Sequence, residues 1–158
     1  MTEIEQINCL LKEVADICEV QQLLRLRTDQ WGFVFSENLQ TVIGFDSMRK
    51  CLTLSCEIGV PADERKLDTY EQLLVYASLD TQTGGVRVAL DAPDGSLLLL
   101  LDMFVEDLDT TTFAEVLEHF IDKVNLWRQS IAKGQTMPGE SSPKPASQLQ
   151  IDNNNLFV

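Results

Sequence analysis

The sequence predicts an α+β fold, α-β-β-β-α-β-β-α in order, with a twisted, mainly antiparallel sheet packed against helices. Three observations predict it. Apolar residues recur at helical spacing near both ends, alternate with polar ones between, and form an unbroken run of five leucines at 97–101 after the turn sequence Asp91-Ala92-Pro93-Asp94-Gly95. Alternate side chains of a strand point to opposite faces, so a continuous apolar strand has to be covered on both sides. Helices of the same chain can cover one face. A second copy of the chain or a bound polypeptide is the natural cover for the other, which points to a protein that works by association.

The first element spans residues 3 to about 20, where Ile4, Ile7, Leu10, Leu11, Val14, Ile17 and Cys18 share one helical face. Leu23, Leu24 and Leu26 are compatible with an extension of that helix or a lead-in to the next element. Residues 31–36, aromatic and β-branched, and residues 39–45 flank the turn pair Glu37-Asn38 and read as a hairpin. Residues 51–58 alternate, with Leu52, Leu54, Cys56 and Ile58 on one face, and form a half-exposed third strand. After Pro61 the period lengthens. Leu67, Tyr70, Leu73, Leu74 and Ala77 fit a second helix, with Gly84-Gly85 as its stop. Val86, Val88 and Leu90 make a fourth strand, and residues 96–104 return as a fifth. Phe113, Val116, Leu117, Phe120, Ile121, Val124 and Trp127 place a third helix, started by a capping box of Thr112 and Glu115 or by Asp109.

The expected organisation is one folded domain at residues 1–132 and a flexible polar tail at 133–158, rich in Gly, Pro, Ser, Gln and Asn and ending in the small apolar hook Leu156-Phe157-Val158. A chain of 158 residues with net charge −13 repels phosphate backbones and anionic lipid, so nucleic acid and membrane are not expected partners. In the tail Lys133 and Lys144 balance Glu140 and Asp152, so the excess negative charge sits in the body. Such a body is a well-solvated surface, and it also suits keeping a sticky, often basic, partner soluble. The acidic start of the chain is unlike a signal peptide, no stretch is long enough to span a membrane, and the expected location is the cytoplasm. Cys9, Cys18, Cys51 and Cys56 lack the spacing of a metal site and read as buried free thiols.

Nothing in the chain assembles into a catalytic constellation, and no enzyme activity, cofactor or metal is expected. His119 is the one histidine, and no motif sets a nucleophile beside it. Gly84-Gly85 lacks the Lys-Ser/Thr of a phosphate loop, and the acids at 106, 107 and 109 or at 63–64 lack calcium-loop spacing.

The stretches EQLLVYASL (71–79), TGGVRVALD (83–91) and DGSLLLLL (94–101), with Leu108-Asp109 ahead of residues 113–127, resemble the class I chaperones of bacterial type III secretion, the Tir-chaperone-like family. The resemblance covers about residues 3–132. It implies a small acidic cytoplasmic homodimer, associated with virulence, that holds the N-terminal region of an effector extended and soluble and delivers it to the export apparatus. Tyr76-Ala77-Ser78-Leu79 departs from the Ala-Asn pair of many relatives, and the long polar tail resembles that of broad-specificity members serving several effectors.

By the same resemblance, an effector strand adds to a sheet edge while its side chains fill pockets beside the first helix. The candidate effector contacts are Ile4, Ile7, Leu11 and Val14 with Phe33, Phe35 and Val42; the candidate dimer contacts are Leu73, Leu74, Tyr76, Val88, Leu98 and Leu99. The secretion ATPase is a further candidate partner. The alternative is a small acidic regulator of transcription or secretion that binds a folded partner.

Overall fold

The computed structural model describes residues 1–79 and 84–134. Helix α1 (Glu3–Ile17) opens with a capping box in which the Thr2 hydroxyl accepts from the Glu5 backbone N–H and the Glu5 carboxylate accepts from the Thr2 N–H. Four strands follow: β1 (Gln22–Arg27), β2 (Gln30–Ser36), β3 (Leu39–Asp46) and β4 (Cys51–Gly59). Helix α2 (Lys66–Ser78) leads to β5 (Arg87–Leu90) and β6 (Leu97–Phe104), and α3 (Thr110–Lys133) ends the described chain. The expected tail lies almost wholly outside the described residues.

The strands make one antiparallel sheet in the order β1-β2-β3-β4-β6-β5. The segment that sequence periodicity left open is therefore a strand and not a helix extension, and four strands, not three, separate α1 from α2. Two element ends and the burial of the cysteines also differ from expectation. Helix α2 stops at Ser78, well before Gly84-Gly85, whose φ angles of +68° and +81° turn the chain into β5. Helix α3 is capped by Asp109, whose carboxylate accepts from the Thr112 N–H, and not by Thr112. Cys9 is exposed and Cys18 half-buried, so only Cys51 and Cys56 are the buried thiols expected.

The three described α-helices pack on one face of the sheet. Ile7, Leu11 and Val14 of α1 and Phe113, Leu117, Phe120, Val124 and Trp127 of α3 meet Trp31, Phe33, Ile43, Leu54 and Leu99 from the strands in one core. Trp31 Nε1 donates to Asn8 Oδ1 at 3.3 Å, and Lys50 pairs with Glu3 at 2.7 Å, which ties α1 to β2 and to the turn before β4. Leu73 of α2 joins the core, and the Tyr76 ring meets Trp127 edge-on at 5.2 Å.

The leucine run divides as alternation requires. Leu97, Leu99 and Leu101 point into the core, while Leu98 and Leu100 are half-buried on the opposite face. Gly95 closes the preceding turn because a Cβ there would stand 2.0 Å from Asp91 Oδ1. Leu99 is fully enclosed between Cys56 and Val88 on the neighbouring strands. Leu99→Asp would place a carboxylate in that enclosure, and the expected outcome is loss of soluble protein on expression; a wild-type yield and melting temperature would contradict the packing.

Candidate protein-binding surfaces

Three surfaces follow from one-sided helix packing: the free edge of β1 with the groove beside α1, the uncovered face of the sheet, and the outer side of α2 with β5. Among the described residues, strand β1 pairs only with β2 and ends the sheet. Its core-side position Arg25 is not apolar: the guanidinium lies 4.7 Å from the Trp31 ring centroid and donates to the Arg27 and Thr28 carbonyls. A register shift between Arg25 and Arg27 bends the same end. Charge and bulge blunt one end of an edge that would otherwise pair indiscriminately, and leave Gln22–Leu24 as its regular part.

At that regular end, Cys18, Phe35, Leu117, Glu118, Ile121 and Asp122 line a groove of about 260 Å³ between α1, β2 and α3. Burial, and then the Glu118 carboxylate, push the Cys18 thiol up; burial does the same to Cys56, so neither is an activated thiolate. His119 is exposed on α3, and among the described residues no cluster is placed to hold a metal ion.

The uncovered face has two halves. Towards β1 it is apolar, with Leu24 and Leu26 lying over Gly32, and Val34 and Val42 beside them. Towards β5 it is mixed, with Leu98 and Leu100 beside a polar cluster organised by Asp102. The Thr53 hydroxyl donates to Asp102 Oδ1 at 2.7 Å, Arg87 Nη2 donates to the same oxygen at 2.9 Å, and Arg49 Nη2 reaches Oδ2 at 3.3 Å. Burial raises the Asp102 carboxyl, and the Thr53 hydroxyl and the two guanidiniums outweigh it, so the group stays below the ordinary carboxylate range.

On the third surface Leu67 and Leu74, both 69% exposed, and Val75 and Leu79 project from α2 beside exposed Leu90. A cleft of about 250 Å³ lies there, between Tyr70, Leu73 and Leu74 of α2 and Val88, Leu90 and Leu97 of the sheet. Tyr70 Oη, Arg65 Nε and Trp127 Nε1 are buried around α2 without a hydrogen-bond partner among the described residues.

The residues anticipated from sequence distribute unevenly over these surfaces. Ile7, Leu11, Val14 and Phe33 are core, at most 1% exposed, and offer nothing to a ligand directly; Ile4, Phe35 and Val42 keep accessible surface. Of the anticipated dimer contacts, Leu74 is exposed, Tyr76 and Val88 are half-buried, Leu73 and Leu99 lie in the core, and Leu98 is half-buried on the opposite face of the sheet, so the six do not share one surface. The groove residues Cys18, Leu117, Glu118, Ile121 and Asp122 and the β1 leucines escaped the sequence reading. The groove residues are distant in sequence, and β1 does not alternate cleanly.

The family model for Tir chaperone protein (CesT) matches residues 9–128, from the first helix into the last. The chain belongs to the Tir chaperone protein family. Among solved structures it is similar to a chain of the ExsC–ExsE complex, with a TM-score of 0.69, 18% identity, and coverage of 83% of this chain and 97% of that one. It is similar also to a chain of the HopA1–SchA chaperone–effector complex (TM-score 0.61, 16% identity, 78% of this chain and 93% of that one). A third is from the Yersinia pestis type III secretion chaperone SycH in complex with a fragment of YscM2 (TM-score 0.56, 21% identity, 74% and 95%). At these identities the likeness is one of fold. None of the curated proteins matches in sequence. Among the described residues of this Tir chaperone family member, no helix is long and apolar enough to cross a membrane.

The Asp102 network sets a pH dependence. A carboxyl held low in the folded state contributes stability that is complete above its unfolded value, about 3.9, and is lost as pH falls through the folded value. Urea midpoints measured from about pH 5 down to about pH 2 should fall more steeply for the wild type than for Asp102→Asn. Parallel curves would contradict the network.

Proposed function

We propose that this chain is a type III secretion chaperone that binds the N-terminal region of one or more effectors in extended form and presents it, soluble, to the export apparatus. The observation that carries this reading is the position of the free β1 edge in a Tir chaperone family fold, alongside α1 and the groove at its end. Six residues of strand extend about 20 Å and fifteen residues of helix about 22 Å, so edge and helix run the same length. A disordered segment that pairs with β1 satisfies its backbone on the edge. It offers alternate side chains to the two faces, one set towards Ile4, Phe35 and the groove, the other towards Leu24, Leu26 and the patch that Val42 extends. Such a segment cannot bury its own apolar side chains and aggregates uncovered, which is the physical need a chaperone meets.

The chain acts as a homodimer in this reading, joined through the outer face of α2 and β5. Leu74 is the direct contact, with Val88 across the cleft from it, Tyr76 on the inner side of α2 against Trp127, and Leu73 and Leu99 shaping the surface from below; Leu98, on the opposite face of the sheet, lies outside this patch. A contiguous apolar patch of this kind in an otherwise strongly acidic chain is what an interface supplies. Delivery involves contact with the secretion ATPase, and the long tail suits service to several effectors.

Light scattering should return twice the chain mass of 17.8 kDa, and Leu74→Glu should return a folded monomer. A wild-type monomer with the same fold would contradict the dimer. For cargo, isotope-labelled N-terminal segments of proteins exported by a type III system should bind saturably without acquiring the shift dispersion of a folded domain. Failure with every such segment, or binding only to an already folded partner, would overturn the chaperone reading.

A further inference from the structure

The groove between α1, β2 and α3 has a floor and a rim of different chemistry. Its floor is Leu117 and Ile121 of α3, Phe35 of β2 and Cys18 at the end of α1. At about 260 Å³ it falls short of the ~300–1,000 Å³ of small-molecule sites and suits a single large side chain. Its rim is Glu118 and Asp122, four residues apart and therefore neighbours on one face of α3. Both are exposed, and no ion pair among the described residues engages either. Like charges at this spacing weaken a helix, and a cation brought between them would relieve that repulsion.

The groove also lies where an added strand would deliver its next residues. Cys18 ends α1, the Gln21 N–H donates to the Val34 carbonyl at 2.9 Å, and β1 begins at Gln22, opposite Val34 and next to Phe35. A chain paired to β1 lies one strand further out than Phe35, and by continuing past Gln22 and turning across the end of β1 it reaches Phe35 and the two carboxylates. The net charge of −13 disfavours an acidic segment there and favours a cationic one.

We propose that this groove selects, within the extended cargo, an aliphatic residue flanked by lysine or arginine, seating the aliphatic side chain on Phe35 and Ile121 and the flanking cation against Glu118 and Asp122. The inference rests on the chaperone reading and adds a sequence preference to it. The apolar floor alone would accept any aliphatic segment; the acidic rim makes it choose.

The test uses the full chain and two short synthetic peptides, each with a central leucine, one flanked by lysine and arginine and the other by glutamates. Followed by NMR, the basic-flanked peptide should shift the signals of Cys18, Phe35 and Ile121 and bind about tenfold more tightly than the acidic one, the preference shrinking as salt rises. The double variant Glu118→Gln with Asp122→Asn, both exposed, should keep its fold and lose the preference. Equal binding of the two peptides, binding of neither, shifts confined to other surfaces, or a preference that survives the double variant would each overturn the proposal. These outcomes are separable from failure of the chaperone reading: a protein that still captures labelled effector segments but is blind to their flanking charge retains its function without this selectivity.

Discussion

Everything in this molecule depends on a six-stranded antiparallel sheet being buried on one side only. Trp31, Phe33, Ile43, Leu54 and Leu99 face inward from successive strands, and α1 and α3 close over them, so the core is complete within one chain. Burying each such side chain is worth about 1.5–3 kcal/mol, which is where the free energy of the fold resides. The cost of that design is a second face and a β1 edge that the described residues leave uncovered. Antiparallel sheets tolerate this when the outer face is polar. Here only the cluster around Asp102 is polar; Leu98 and Leu100 adjoin it, and the half near β1 carries Leu24, Leu26, Val34 and Val42.

The two ends of the sheet are finished differently, and the difference separates the proposed roles. Strand β5 has only four residues and lies under α2, whose outer leucines make an apolar surface suited to a second folded copy. Strand β1 is longer, lies beside α1, and is blunted at one end by Arg25, which sits over Trp31. A short, helix-covered edge suits rigid association. A longer edge, open at one end and bordered by a groove, suits a segment without structure of its own.

Much of the fold was legible because hydrophobic period reports which side of an element is covered. Alternation in residues 51–58 located β4 and its inward face, and the 113–127 stripe located α3. Strand β1 was hidden because it is an edge: Arg25 occupies a core-side position, Leu26 points outward, and the pattern fits neither period. The same limit governed the site. Ile7, Leu11, Val14 and Phe33 have the apolar character of a binding surface, and α3 covers them. Period reveals that a face is buried, but not whether the cover is the chain's own helix or another molecule. The groove was invisible for a different reason. Its residues come from positions 18, 35 and 117–122, and only the tertiary fold brings them together.

The central claim is that the free edge of β1 takes up an extended polypeptide. Amide hydrogen exchange, compared with and without a saturating N-terminal segment of an exported protein, tests it most directly. Strand pairing predicts that the outward amides of β1 slow on binding while those of β4, already paired on both sides, stay unchanged. Unchanged exchange in β1, with protection appearing instead over α2, would contradict it.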